Sequence, residues 1–207
     1  MYYSENEEIK VVIPSYKRAE RVKSKILVPN PIICVSESEL DEYKHYNPEC
    51  EIVTHPDSVK GLIPKRNWMM NHFEELFMID DDVDYVSRFY TEDGDTLKQR
   101  VTDPYYIQGK INELYDLAKM VGAPLFGFAK QSHPTSYREN WFSLSHMITG
   151  CAYGIIKQPD LYWNEELKLK EDFWISCLVK YKYRKILTDR RFFFKQSDTF
   201  VNQGGIS

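Results

Sequence analysis

The stretch FMIDDDVDYV, Phe77 to Val86, decides the reading of this chain: an apolar run stops in four carboxylates, Asp80, Asp81, Asp82 and Asp84. An ionised carboxylate away from water costs far more than local packing returns unless it is paired. The cluster therefore lies at a surface or faces cations. An apolar strand ending in D-x-D suits a divalent metal held against phosphates, because magnesium and manganese favour carboxylate oxygens. A short acidic run in isolation is equally what a solvated loop looks like. The rest of the chain has to separate the two.

Upstream of the cluster, Ile9 to Pro14, Pro31 to Val35, Glu51 to Thr54 and Leu76 to Ile79 are short β-branched or apolar runs that read as strands. Ser36 to Glu39 reads as a capped helix start, and a helix beginning at Arg66 and Asn67 after a Gly61 loop leads into the strand before the aspartates. Strands alternating with helices specify an α/β domain with a mostly parallel central sheet flanked by helices. In such a sheet, ligands lie beyond the carboxyl ends of the strands, so Pro14 to Arg18 (PSYKR) is a natural nucleotide contact. Arg18 offers a planar fork to a phosphate, and Tyr16 offers a ring to a base.

Downstream, Tyr90 to Arg100 has the composition of an exposed loop, and Asp103 with Pro104 opens a helix that Gly122 ends. Ala123 to Ala129 and His146 to Lys157 read as strands, the second interrupted by Gly150 and Gly154, which suggests a bulge or a close backbone approach. His133 reads as a loop residue. Glu171 and Asp172 open a further helix, as complements to its dipole or as a catalytic carboxylate at the mouth of the sheet. The last segment interleaves Lys180, Lys182, Arg184, Lys185, Arg190, Arg191 and Lys195 with Tyr and Phe. That pattern fits a phosphate-tracking surface with stacking rings, or an amphipathic strand with one aromatic side buried.

At 207 residues, with 43% hydrophobic and 28% charged side chains, the chain fits one globular domain. No apolar run reaches the roughly 20 residues that span a bilayer, and the acidic start MYYSENEEIK lacks the apolar core of a secretory leader. Cys34, Cys50, Cys151 and Cys177 follow no metal spacing and read as reduced thiols, so a cytoplasmic setting without membrane attachment is expected. The net charge of -4 argues against a generic nucleic-acid coat, but residues 1–100 carry -7 and residues 157–207 carry +3.

In order, these segments resemble the GT-A glycosyltransferases of the family 2 pattern. The matching features are P-S-Y-K-R, Gly61 with Arg66 and Asn67, the D-x-D of Asp80 and Asp82, Thr149 with Gly150, and Glu171 with Asp172. IPSYKR, KRNW, MIDDDVD and a terminal N-x-G-G narrow the resemblance to the TET/JBP-associated glycosyltransferases, a group linked to phages and to enzymes that oxidise DNA bases.

The resemblance implies a single GT-A domain with a nucleotide-sugar-binding half over about 9–100 and an acceptor half over about 101–207. It implies a metal-dependent hexosyl- or pentosyltransferase that uses a nucleotide-sugar, a UDP-sugar by preference, with manganese or magnesium. The acceptor implied is a hydroxylated or hydroxymethylated pyrimidine in DNA, within a host cytoplasm if the chain is phage-encoded. Metal ligation falls to Asp82, with Asp80 and Asp84 as further candidates. Donor binding falls to Pro14, Ser15, Tyr16, Arg18, Arg66, Asn67, Asp80 and Asp81. Asp172 is the general base of an inverting reaction, with Glu171 as fallback. Gly150, Lys182, Arg184, Arg190 and Arg191 face the acceptor. No histidine follows His146, so a C-terminal histidine ligand is lacking and Asp198 is a substitute candidate.

Three rivals stand beside this reading. Asp82 to Val86 fits the D-x-D-x-[TV] of haloacid dehalogenase phosphatases, although that motif normally follows the first strand. An EF-hand lacks its glycine at Tyr85 and its glutamate at Thr91. A catalytically silent GT-A module would bind nucleotide, sugar or DNA without turnover.

Overall fold

The computed structural model describes residues 8–89, 99–129, 142–148 and 150–196. Ten strands form one sheet: β1 (Lys10–Pro14), β2 (Ile32–Ser36), β3 (Glu51–His55), β4 (Glu75–Ile79), β5 (Val83–Arg88), β6 (Gln99–Val101), β7 (Leu125–Ala129), β8 (Phe142–Ser143), β9 (Ala152–Ile156) and β10 (Leu187–Gln196). The helices are α1 (Leu40–Tyr46), α2 (Leu62–Phe73), α3 (Pro104–Val121) and α4 (Glu171–Tyr183). Strand order is β3-β2-β1-β4-β9-β7-β10-β5-β6, with β8 on β10.

The α/β class holds, while the parallel character belongs to one half. β3, β2, β1 and β4 run parallel, and β7 pairs parallel with β10. Antiparallel pairing joins β9 to both β4 and β7, and β10 to β5 and β8, and β5 to β6. A parallel pair needs a long crossover. The chain supplies these up to β4; beyond it the neighbour of β4 is β9, which enters antiparallel, while β5 lies apart from β4, between β10 and β6.

Alternation along the strands sorts the core into two faces. Val11, Phe77 and Ile79 point to the side covered by Ile107, Ile111, Leu114 and Ala118 of α3. Ile13, Ile33 and Val35 share that side with Tyr43 of α1. Val12, Cys34, Leu76 and Met78 point the other way, onto Met69 and Met70 of α2 and Ile175 and Val179 of α4. The result is a three-layer sandwich in which both sheet faces are buried.

Several boundaries differ from the expected ones. Helix α2 starts at Leu62, with Gly61 at φ +93 before it and Pro64 in its first turn, so Arg66 and Asn67 sit one turn inside. Ser36 makes no capping bond to the backbone; its hydroxyl donates to the Glu39 carboxylate at 2.8 Å instead. Among the described residues of the run His146 to Lys157, the strand is Ala152–Ile156. The aromatic-basic tail contains the longest strand, β10, whose Phe192, Phe193 and Phe194 are buried. β10 leaves β7 at a register shift between Asp189 and Phe193, and a second shift, between Lys195 and Gln196, interrupts its pairing with β5. Asp103 caps α3 by accepting the Tyr105 N–H at 2.9 Å, and Gly122 ends it in the left-handed conformation. Gly154 answers a packing need: a Cβ there would lie 2.0 Å from the Phe126 ring. All four cysteines are unpaired. Among the described residues no helix is long and apolar enough to cross a membrane.

Candidate active site

Parallel register brings the carboxyl ends of β1 to β4 to one edge. Because β9 runs antiparallel to β4, its leading residues Gly150 and Cys151 reach the same edge, where the Cys151 carbonyl accepts the Asp80 N–H at 2.8 Å. The N-terminus of α4 and the far end of β10 complete the ring, since Gln196 pairs with Val83 just after the aspartates.

The aspartates diverge. Asp81, 6% exposed, turns toward β1: Ser15 Oγ donates to it at 2.5 Å and Arg18 Nη1 at 2.8 Å. Loss of solvent raises its pKa, and Ser15 and Arg18 oppose the rise. Asp80 and Asp82 turn the other way and converge on one atom, Gln196 Nε2, which lies 3.4 Å from Asp80 Oδ2 and 2.6 Å from Asp82 Oδ1. Burial pushes Asp80 up to about 7, with Arg66 pulling against it and Asp82 adding to it. Arg18 also reaches Asp82, at 3.6 Å, and its Nε is buried without a partner. Asp84, inside β5, is paired with Lys23 at 2.8 Å.

Arg66 is 1% exposed and spans two elements, with Nη2 at 3.0 Å from Asp80 and Nη1 at 2.5 Å from Glu171. Its guanidinium lies 5.3 Å from the centre of the Tyr153 ring. A side chain this enclosed and doubly paired ties the strand end to α4. Glu171 is therefore spent on Arg66, while Asp172 has no cation partner among the described residues. Asp172 Oδ2 accepts the N–H of Gly150, whose φ is +129, at 3.0 Å. Asn67 is equally committed: its Oδ1 accepts the Trp163 N–H, and its Nδ2 donates to the Trp163 carbonyl and to Glu165, clamping the loop before α4.

The β1 loop is built around Ser15, whose hydroxyl, its proton given to Asp81, accepts from Tyr43 Oη at 2.7 Å and whose carbonyl accepts from Lys65 Nζ at 2.5 Å. Lys65 is 5% exposed, and burial lowers its pKa. Pro14 closes β1 against β2. Lys17 adopts φ +54, held by its N–H on Glu39 Oε1 at 2.7 Å. That conformation is uncommon for a side-chain-bearing residue and recurs at ligand-binding turns. Tyr16, 48% exposed, presents its ring with Lys17 Nζ at 5.1 Å and Lys65 Nζ at 5.9 Å.

The basic segment lies elsewhere. Lys182 and Arg184 stand at the far end of α4, about 15 Å from Asp172 at 1.5 Å per residue. Lys182 pairs with Asp160, and the exposed Arg184 stacks 5.8 Å from Tyr181. Arg191 is locked to Asp189 through Nε and Nη2, over the Phe142 ring. Arg190 lies midway along β10, half-buried. Thr149, His133, Asp198, the terminal N-x-G-G and most of the loop after Tyr90 lie outside the described residues. Sequence reasoning passed over Gln196, Tyr43 and Lys23, none of which stands in a motif, and gave no role to Lys65, although it opens KRNW.

The model of the TET-associated glycosyltransferases matches residues 9–205. The chain belongs to that family. It is a glycosyltransferase, which removes the phosphatase and EF-hand readings of the aspartates. No curated protein matches it.

Proposed function

We propose that this glycosyltransferase moves a sugar from a nucleotide-sugar, with manganese or magnesium on the Asp80–Asp82 pair, to the hydroxyl of a hydroxymethylated or hydroxylated pyrimidine in DNA. The observation that carries the metal reading is the convergence of Asp80 and Asp82 on one point beside Arg18. The donor set fits a hard cation, with two carboxylates facing one locus and a neutral amide as third neighbour. Among the described residues no three His, Cys, Asp or Glu side chains gather to hold a metal alone. The remaining coordination therefore falls to phosphate oxygens, as with magnesium at nucleotide sites. This favours the Asp80 and Asp82 register over Asp82 and Asp84, because Asp84 is taken by Lys23.

Asp80 and Asp82 would hold the metal, which would supply positive charge to the departing diphosphate. Arg18 adds positive charge at the same place through its fork, and Tyr16 gives the nucleobase a face. The acceptor oxygen bonds to the sugar carbon while the bond from that carbon to the phosphate oxygen breaks, its electron pair leaving with the nucleoside diphosphate. The acceptor's proton passes to Asp172, held by the N–H groups of Gly150 and Phe173 in reach of the edge. A base distinct from the leaving group's side gives inversion. A base inside a duplex must be flipped to reach the edge. The exposed Arg184, Tyr181 and Lys182 knob, a helix length away, would then touch phosphates distant from the flipped nucleotide.

The test is incubation with Mn2+, a panel of nucleotide-sugars and hydroxymethylated or plain DNA, followed by nucleoside mass analysis. A hexose or pentose gain on the modified base, lost in Asp82→Asn and Asp172→Asn, is expected. Transfer to a glycan or small molecule alone overturns the DNA acceptor, and nucleotide binding without any transfer marks a silent module.

A further inference from the structure

Resting on the metal reading above, we propose that Gln196 is a third protein ligand of the metal, presenting Oε1 to the cation between Asp80 and Asp82. Three observations on different parts of the chain carry this. The first is position: both carboxylates approach Gln196 Nε2, at 2.6 and 3.4 Å. The second is backbone design. The register of β10 against β5 shifts between Lys195 and Gln196, and a bulge beside a site re-aims a side chain that a regular strand would point elsewhere. The third is the donor set: among the described residues no three His, Cys, Asp or Glu side chains gather to hold a metal.

The amide has two faces and the site uses each in turn. Without a cation, Nε2 donates to both carboxylates and offsets their mutual repulsion. A cation at that point repels the N–H groups. A half-turn about the terminal Cγ–Cδ bond, which has a broad two-fold profile, puts Oε1 where Nε2 was. Side-chain amide oxygens are ordinary ligands of hard cations. The residue is thus a placeholder that becomes a ligand, and it brings β10 to the donor phosphates.

The experiment measures Mn2+ binding to the full chain, alone and with uridine diphosphate, by electron paramagnetic resonance of free Mn2+. Water-proton relaxation counts the waters on the bound ion. Wild type, Asp82→Asn, Gln196→Leu and Gln196→Glu are compared after their melting curves show a folded state. The expected result is binding by wild type, loss in Asp82→Asn, about tenfold or greater weakening in Gln196→Leu with one more water on the ion, and recovery or tightening in Gln196→Glu. If Gln196→Leu binds Mn2+ as wild type does with the same water count, Gln196 is only a bridge between carboxylates and the inference is overturned, while the metal reading stands. If wild type binds no Mn2+ under either condition, the metal reading and this inference fall together.

Discussion

Removing Arg66 tests whether the site is held together as its geometry implies. Arg66→Met keeps most of the side chain's apolar bulk but leaves Asp80 and Glu171 without the cation that lies 3.0 and 2.5 Å from them. Deleting one partner of a buried ion pair typically costs about 3–5 kcal/mol, because the orphaned charge stays buried. At about 2–4 °C per kcal/mol for a chain of this size, the melting temperature falls by about 6–20 °C. Glu171→Gln alone costs less, since Arg66 keeps Asp80. In the double variant one of the two stranded charges is gone, so it is more stable than Arg66→Met, with a coupling of about 1–3 kcal/mol in the double-mutant cycle. Urea and thermal unfolding followed by circular dichroism at pH 7.5, without metal, give all four corners. A loss below about 1 kcal/mol in Arg66→Met, or strictly additive corners, would falsify the view that this guanidinium is the internal tie between β4 and α4.

Other outcomes follow from the same structure. Gly154→Ala drives a methyl into the Phe126 ring, 2.0 Å from its nearest atom, and is expected to cost at least about 1–3 kcal/mol in a thermal melt. Gly109→Ala, with open space around it on an exposed turn of α3, stabilises by about 0.5–1 kcal/mol under the same assay. Asn67→Ala frees both backbone groups of Trp163 and costs about 1–3 kcal/mol, and hydrogen exchange at the Trp163 N–H speeds up relative to α3. For pH, the folded Asp80 holds its proton up to about 7 against an ordinary 3.8, so between those values the native state binds more protons than the unfolded one. Stability of the metal-free protein therefore rises, through this group, as pH falls from 8 toward 5. The difference in melting temperature between wild type and Asp80→Asn should move that way, and a flat or opposite trend refutes the assignment.

What the sequence makes legible is set by how local each determinant is. The strand-helix alternation up to Ile79, the Asp103 and Pro104 start of α3 and the Gly122 stop are written within a few residues of where they act, and the structure follows them. The reversal of pairing beyond β4 is not local. It comes from pairings between distant segments, β4 with β9 and β10 with β5, and from a tail whose Phe192 to Phe194 could be read as a stacking surface but is core. The site divides in the same way. D-x-D, P-S-Y-K-R and E-D are visible as runs, and the fold does bring them to one edge. Their individual roles depend on partners that the runs do not contain. Arg66 meets Glu171 across 105 positions and Asp82 meets Gln196 across 114. Those two contacts decide which acidic residue of α4 is held by a cation and which aspartates share a point. An arginine in a donor motif suggests a phosphate ligand, but once enclosed at 1% exposure between two carboxylates it becomes the scaffold that holds the half-buried Asp80 beside Asp82. Of the basic residues the motifs single out, only Arg18 reaches the Asp82 carboxylate, so under the proposed function it is the one that would meet a donor phosphate there.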